Sequence, residues 1–146
     1  MVQFQEEAAA LTHALEEWEA AYSAGEDVTK WQAMAQDQWV LTMGAWAKLD
    51  VMQIGPQASS LSAVSGGDIR DEIYSWPTSV NACVVDQITA NESFLNGEFI
   101  AQTLVNGYGL DALEHLLFAD FETNCPAQVP PLSDGRWDAL LSLIHI

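Results

Sequence analysis

VTKWQAMAQDQWVLTMGAWAKLDVMQ, residues Val28 to Gln53, is the stretch that decides the fold class of this chain. Trp31, Ala35, Gln38, Thr42, Ala45, Leu49 and Met52 fall on one stripe of a 3.6-residue period, with Trp39 and Trp46 on a neighbouring stripe. A helix this long, rich in Trp and Met and apolar around much of its circumference, is expected to sit between other helices of a bundle. Its aromatic residues are read as core rather than as the lining of a ligand groove. Gly55-Pro56 closes it, because proline restricts the residue before it and lacks a backbone donor.

Working outward toward the N-terminus, Phe4, Ala8, Leu11, Leu15, Trp18 and Tyr22 recur at helical spacing from about Gln3 to Ser23. Gly25 is a suitable stop, and Asp27 or Thr29 a suitable cap for the helix that follows. His13 has only acids near it at useful spacing and is read as a surface histidine. Toward the C-terminus, Gln57 to Gly67 is rich in Ser, Ala and Gly and reads as a loop. Asp68 is placed to cap a short helix, Ile69 to Ser75, halted by Trp76-Pro77. A helix over Val80 to Thr89 is expected to turn Cys83, Val84 and Ile88 inward. Another is expected around Phe94 to Val105, with Leu95, Phe99 and Leu104 as contacts. Gly107 and Gly109 interrupt the pattern before Leu110 to Phe118 resumes it, and a loop with Thr123-Asn-Cys-Pro and Val-Pro-Pro131 follows. No period-two alternation persists, so the fold class is all-α, a helical bundle.

Composition sets outer limits. The 146 residues suffice for a real core, and six Trp supply large burial units. Only Lys30, Lys48, Arg70 and Arg136 oppose 21 acids, for a net charge of −17. That balance repels phosphate backbones and anionic lipid and argues against a nucleic-acid or membrane-surface role. No apolar run approaches the ~20 residues of a membrane span. Met1 to Glu7 lacks the basic-then-apolar pattern of a secretion signal. Leu141 to Ile146 reads as the in-frame translation of a sequencing adapter, so a native domain is expected over residues 1–140 and no role is assigned to His145.

The chemistry concentrates in Gly109-Leu-Asp-Ala-Leu-Glu-His-Leu-Leu-Phe118. Leu110, Leu113 and Leu117 share a stripe; Glu114 falls beside it, Asp111 next and His115 furthest out. A carboxylate set into an apolar arc needs a partner, a proton or a metal. Helical spacing lets Asp111 converge with Glu114 and His115, a hard, mixed donor set for a divalent or ferric ion that could suit iron, manganese or zinc. The structural alternative is that Asp111 caps the helix while Glu114 pairs with Arg70 or accepts hydrogen bonds from a neighbouring helix. Neither a phosphate-cradling glycine loop, a Gly-x-Ser-x-Gly nucleophile nor a His-Glu-x-x-His zinc motif is present.

Three pieces, in order, resemble the imelysin family of bacterial cell-envelope proteins, once described as insulin-cleaving metallopeptidases. Trp46-Ala-Lys-Leu-Asp-Val-Met-Gln-Ile-Gly-Pro56 resembles that family's first long helix and its exit. Ile69-Arg-Asp-Glu-Ile-Tyr-Ser-Trp-Pro77 with Asn81-Ala-Cys-Val-Val-Asp86 resembles its Arg…Trp-Pro segment and the next helix. Gly109 to Phe118 resembles its Gly-x-His-x-x-Glu signature, with Gly109 and Glu114 retained and Asp111 at the histidine position. The resemblance implies an all-helical protein of two bundle-like halves, of which this chain covers mainly the first. It also implies location in the periplasm or as an outer-membrane lipoprotein, partners among iron-uptake and cell-envelope proteins, and metal ligation by signature residues. A metallopeptidase is the alternative the family name carries; a partner-binding bundle without metal is another. In an oxidising compartment Cys83 and Cys125 are candidates for a disulfide, which would add about 2–4 kcal/mol; two free thiols are the other reading.

Overall fold

The structure is a computed structural model that describes residues 2–52, 54–61, 63–74, 80–119, 123–131 and 133. Among the described residues the regular elements are helices and no strand occurs. They are α1 (Val2–Ser23), α2 (Thr29–Asp50), α3 (Ile69–Ile73), α4 (Ala82–Ala90), α5 (Phe99–Gln102) and α6 (Leu110–Phe118), with single 3₁₀ turns at Gly55–Gln57, Ser93–Leu95 and Val105–Gly107. The expected all-α bundle class is what the chain adopts. It divides into two compact units, Met1–Ile69 and Arg70–Ile146. No described helix is long and apolar enough to cross a membrane. The segments Trp76-Pro77 and Leu141 to Ile146 lie outside the described residues.

In the first unit α1 and α2 form an antiparallel pair joined by a short turn. Gly25 ends α1 as its sequence position suggested. It adopts φ +71°, its N–H reaches the carbonyl of Tyr22, and the Glu26 N–H reaches Ala21, both at 3.0 Å. This paired closure satisfies the last carbonyls of the helix and uses a backbone conformation that glycine adopts without steric cost. Asp27 then accepts the Thr29 N–H at 3.0 Å, and that bond holds the Asp27 carboxyl below the usual carboxylate range.

The α2 stripe is buried where expected. Ala35, Thr42, Ala45 and Leu49 are buried, and the neighbouring Trp39 and Trp46 join them. Trp46 stacks at a tilt on Phe4 of α1, with ring centroids 5.2 Å apart. A polar tie crosses the same interface. The Thr42 hydroxyl donates to the Glu7 carbonyl at 3.1 Å, and the Gln38 amide donates to the Glu7 carboxylate at 2.8 Å. Thr42 is fully buried, and its hydroxyl proton has a second acceptor within reach, the Gln38 carbonyl one turn back at 2.9 Å. The outer flank of the expected stripe stays open: Met52 is exposed, as are Met34 and Leu41 on the same side and Tyr22 on α1.

The structure revises three boundaries. Asp68 does not cap α3, because it sits in the left-handed region at φ 55° whereas a capping residue needs extended backbone. Its carboxylate closes the preceding loop by accepting the N–H and hydroxyl of Ser60, which holds it below the usual carboxylate range. The helix expected over Phe94 to Val105 is broken into two 3₁₀ turns and the single turn of α5. Asn96 causes part of the break by accepting the Glu98 N–H on its side chain at 3.0 Å, a local bond that competes with helix propagation. Leu95 and Leu104, expected as contacts, are exposed. On α4, capped by Asn81 through the Val84 N–H at 3.2 Å, the deeply buried residues are Val85 and Asp86; Cys83, Val84 and Ile88 are half-buried.

The α1–α2 pair depends on a few large contacts. Trp46→Ala should therefore lower stability by about 3–5 kcal/mol, whereas Leu41→Ala on the open flank should change it by less than about 0.5 kcal/mol. Urea unfolding of both variants checks this; equal losses would show that the two helices are not held by the buried tryptophan.

Candidate functional site

The candidate site residues lie in the second unit, at the start and along the length of α6. Gly109 opens it with φ +98°. A side chain there would meet the carbonyl oxygens of Ile73 at 3.0 Å and Glu72 at 3.2 Å, and the Asp111 carboxylate at 3.1 Å. The backbone conformation and the close approach of the end of α3 both require glycine. Gly109 thus brings the start of α6 against the residues leading into Tyr74.

Asp111 follows in the first turn of α6 and is only 7% exposed. Its Oδ1 accepts the Ala112 N–H at 2.9 Å, placing negative charge at the helix end where backbone donors are unsatisfied. The wheel had put Asp111 outward of Glu114; Leu117 is buried on the expected stripe, but Asp111 and Ala112 are buried as well, away from it, while Leu110 and Leu113 are half-buried. Glu114 is half-buried and accepts the hydroxyl of Tyr74 at 3.4 Å, a long bond. Burial raises the Tyr74 phenol above its ordinary range, followed by the charge of Glu114, the hydrogen bond to it and the charge of Asp111. Tyr74, Glu114 and Asp111 therefore share one electrostatic neighbourhood. The expected Arg70–Glu114 pair does not form: Arg70 meets its neighbour Asp71 at 3.0 Å, and Glu114 takes the tyrosine.

His115, placed furthest out by the wheel, is instead drawn inward. Its side chain is 12% exposed and its Nε2 lies 3.0 Å from Oδ1 of Asp86 on α4. Asp86 is 2% exposed, and its other oxygen accepts the Asn124 N–H at 2.6 Å and the Thr123 hydroxyl at 3.2 Å. A carboxylate so deeply buried is stable only with donors of this kind around it. One turn before Asp86, Cys83 is joined to Cys125 by a disulfide, with the Cα atoms 4.5 Å apart and a separation of 42 in sequence. The segment Thr123–Cys125 is thus fastened to α4 twice, by the Asp86 carboxylate and by sulfur. In the chain-entropy account, a closure of that length disfavours the unfolded chain by roughly 4 kcal/mol.

Asp86, Tyr74, Thr123 and Asn124 escaped the reading of the sequence. One signal was available for Asp86: it interrupts the apolar run Ala82-Cys-Val-Val85, the same anomaly that singled out Glu114. Nothing in the sequence marked Thr123 and Asn124, because their donors are used across 37 and 38 residues.

The three anticipated metal donors do not converge. His115 is turned to Asp86, leaving the carboxylates of Asp111 and Glu114 with the Tyr74 hydroxyl as an all-oxygen set. Among the described residues no group of three or more His, Cys, Asp or Glu side chains is placed to hold a metal ion. The described residues thus offer part of a hard-donor set, not a complete one. A cavity of about 540 Å³ lies elsewhere in this unit, lined by neutral side chains that include Asn81, Val84, Phe99, Gln102 and Asn106 and by none of the signature residues. His13 is a surface residue, its side chain 71% exposed and 3.9 Å from Glu17.

Two measurements follow from this geometry. Because the folded state raises the Tyr74 phenol, the unfolded chain releases that proton first. Its stabilising contribution is complete below the ordinary tyrosine value of 10.0 and is lost as pH rises through the higher folded value. Urea midpoints should fall above that pH, and Tyr74→Phe should lessen the fall; an identical fall in the variant would sink the assignment. Gly109→Ala, strained by φ and by the carbonyls of α3, should cost about 1–3 kcal/mol in the same assay.

Comparison with known proteins agrees with the resemblance drawn from the three motif pieces. No curated protein and no solved structure matches the chain. The family model described as imelysin matches residues 2–134, nearly the whole length and both compact units. The chain belongs to the imelysin family.

Proposed function

We propose that this protein is a cell-envelope component of iron acquisition, periplasmic or lipid-anchored, in which Asp111 and Glu114 contribute oxygen ligands to a metal ion. The observation that carries the reading is the state of Asp111. At the position where the signature has histidine, a carboxylate is buried at 7% exposure beside Glu114, with the Tyr74 hydroxyl as a third oxygen nearby. Oxygen donors favour hard ions, ferric iron among them, over zinc. The remaining ligands would come from groups outside the described residues or from a partner. The Cys83–Cys125 disulfide supports an oxidising compartment.

The chain's own residues have limited roles in this proposal. Gly109 permits the approach of α3, Asp111 and Glu114 present negative charge, and Tyr74 donates its proton toward Glu114. A bound ion would supply charge neutralisation of the two carboxylates. The competing reading is a partner-binding bundle without metal, favoured by the incomplete donor set among the described residues. The further alternative is a metal-dependent peptidase, which rests on the family rather than on a residue among those described.

Metal analysis and calorimetric titration of the purified protein with iron and zinc test the proposal. Iron should bind, and Glu114→Ala and Asp111→Ala should each weaken it by at least about tenfold, since even outer-shell losses have effects of that size. Absence of any titratable metal would leave the partner-binding reading standing.

A further inference from the structure

Three donors converge on Asp86, two of them from the segment that Cys125 anchors. The Asn124 N–H and the Thr123 hydroxyl occupy Oδ2, while His115 occupies Oδ1. The Thr123 hydroxyl also accepts the Cys125 N–H at 3.1 Å, so the anchoring cysteine and the carboxylate are linked through one side chain. Cys83 and Asp86 lie one turn apart on α4, and His115 lies directly after Glu114 on α6. The disulfide and the Asp86 clamp therefore act on the same few residues, and each raises the effective concentration of the other's partners.

We propose that this arrangement is a redox-sensitive latch: reduction of the Cys83–Cys125 disulfide releases Thr123 and Asn124 from Asp86 and thereby opens the Asp86–His115 pair, beside the signature glutamate, to solvent. The reductant is a dithiol. Cys125 is 6% exposed whereas Cys83 is half-buried, so the incoming thiolate reaches the Cys83 sulfur more readily. A bond forms between the reductant sulfur and Cys83, the Cys83–Cys125 bond breaks, and Cys125 leaves as a thiolate that takes up a proton. The second thiol of the reductant, losing its proton, then displaces Cys83 and closes the reductant's own disulfide. Two electrons and two protons end on the protein as two thiols, and the reductant is oxidised to its disulfide.

Without the covalent anchor, the Thr123–Cys125 segment keeps its hydrogen bonds, for which water competes, and the burial of Cys125, while the chain beyond stays tied to α4 by the Gln87 amide on the Pro130 carbonyl at 2.8 Å. When the segment departs, Asp86 loses both donors on Oδ2 and its cover from solvent. His115 then holds a hydrated carboxylate in place of a buried one. By linkage the coupling runs both ways: weakening the clamp makes the disulfide easier to reduce.

The test titrates the protein with reduced and oxidised dithiothreitol at fixed pH. It reads thiols by alkylation, the Asn124 amide by hydrogen exchange, the His115 imidazole by NMR and helix content by circular dichroism. In the wild type, Asn124 should lose at least about tenfold in protection and the His115 signals should shift in step with the appearance of thiols, with helix content retained. Asp86→Asn, and independently Thr123→Val, should move the midpoint so that about tenfold less reductant suffices for the former, as expected for loss of a charge-assisted bond, and less of a shift for the latter. An Asn124 amide that stays protected in the fully reduced protein overturns the proposal. So does loss of helix content at the same midpoint, which would make the disulfide a staple of the whole unit, and so does a midpoint unmoved in both variants.

Discussion

A carboxylate cannot be removed from water without donors to replace it, and that requirement at Asp86 organises the second unit. With 2% of the residue exposed, its two oxygens are served by His115 from α6 and by Thr123 and Asn124 from the segment beyond it. The donors come from two separate stretches of chain, so satisfying one side chain fixes α4, α6 and the segment after α6 relative to one another. The disulfide from Cys83 lies one turn away and acts in the same sense. A purely apolar contact would tolerate sliding between these elements; charge-assisted hydrogen bonds at 2.6–3.2 Å do not.

This constraint divides the signature helix into two sides with different chemistry. On one side His115 is committed to Asp86 and serves packing. On the other, Asp111 and Glu114 face the region of Tyr74, where the close approach at Gly109 brings the end of α3 against the start of α6. Histidine in an acidic chain looks like a metal donor, but a buried carboxylate at 3.0 Å is a stronger claim on it than sequence adjacency to Glu114. On the Tyr74 side the polar groups presented are oxygens.

Much of the fold was legible because it is local. The long stripes of α1 and α2 and the closure at Gly25 depend on residues within one or two turns of each other, so residue order reports them directly. The failures share a cause as well. Asp68 and Asn96 have short polar side chains able to bond nearby backbone, and whether they cap a helix or close a loop is decided by what lies across the loop. The wheel for α6 placed Leu117 inward correctly but missed that a second side, with Asp111, Ala112 and His115, is covered too. Periodicity ranks faces by apolar content, and it has no means of knowing that a carboxylate waits on α4.

By itself, then, the sequence determined the helical class, the stripes of the two long helices with the stop at Gly25, and the family, since all of these reside in residue order and short-range geometry. Only the tertiary structure decided which polar groups meet. Asp86 with His115, Glu114 with Tyr74, and Cys83 with Cys125 pair across 29, 40 and 42 residues. Those partnerships depend on how the helices rotate about their axes once buried charges must be satisfied, and no local pattern encodes that rotation.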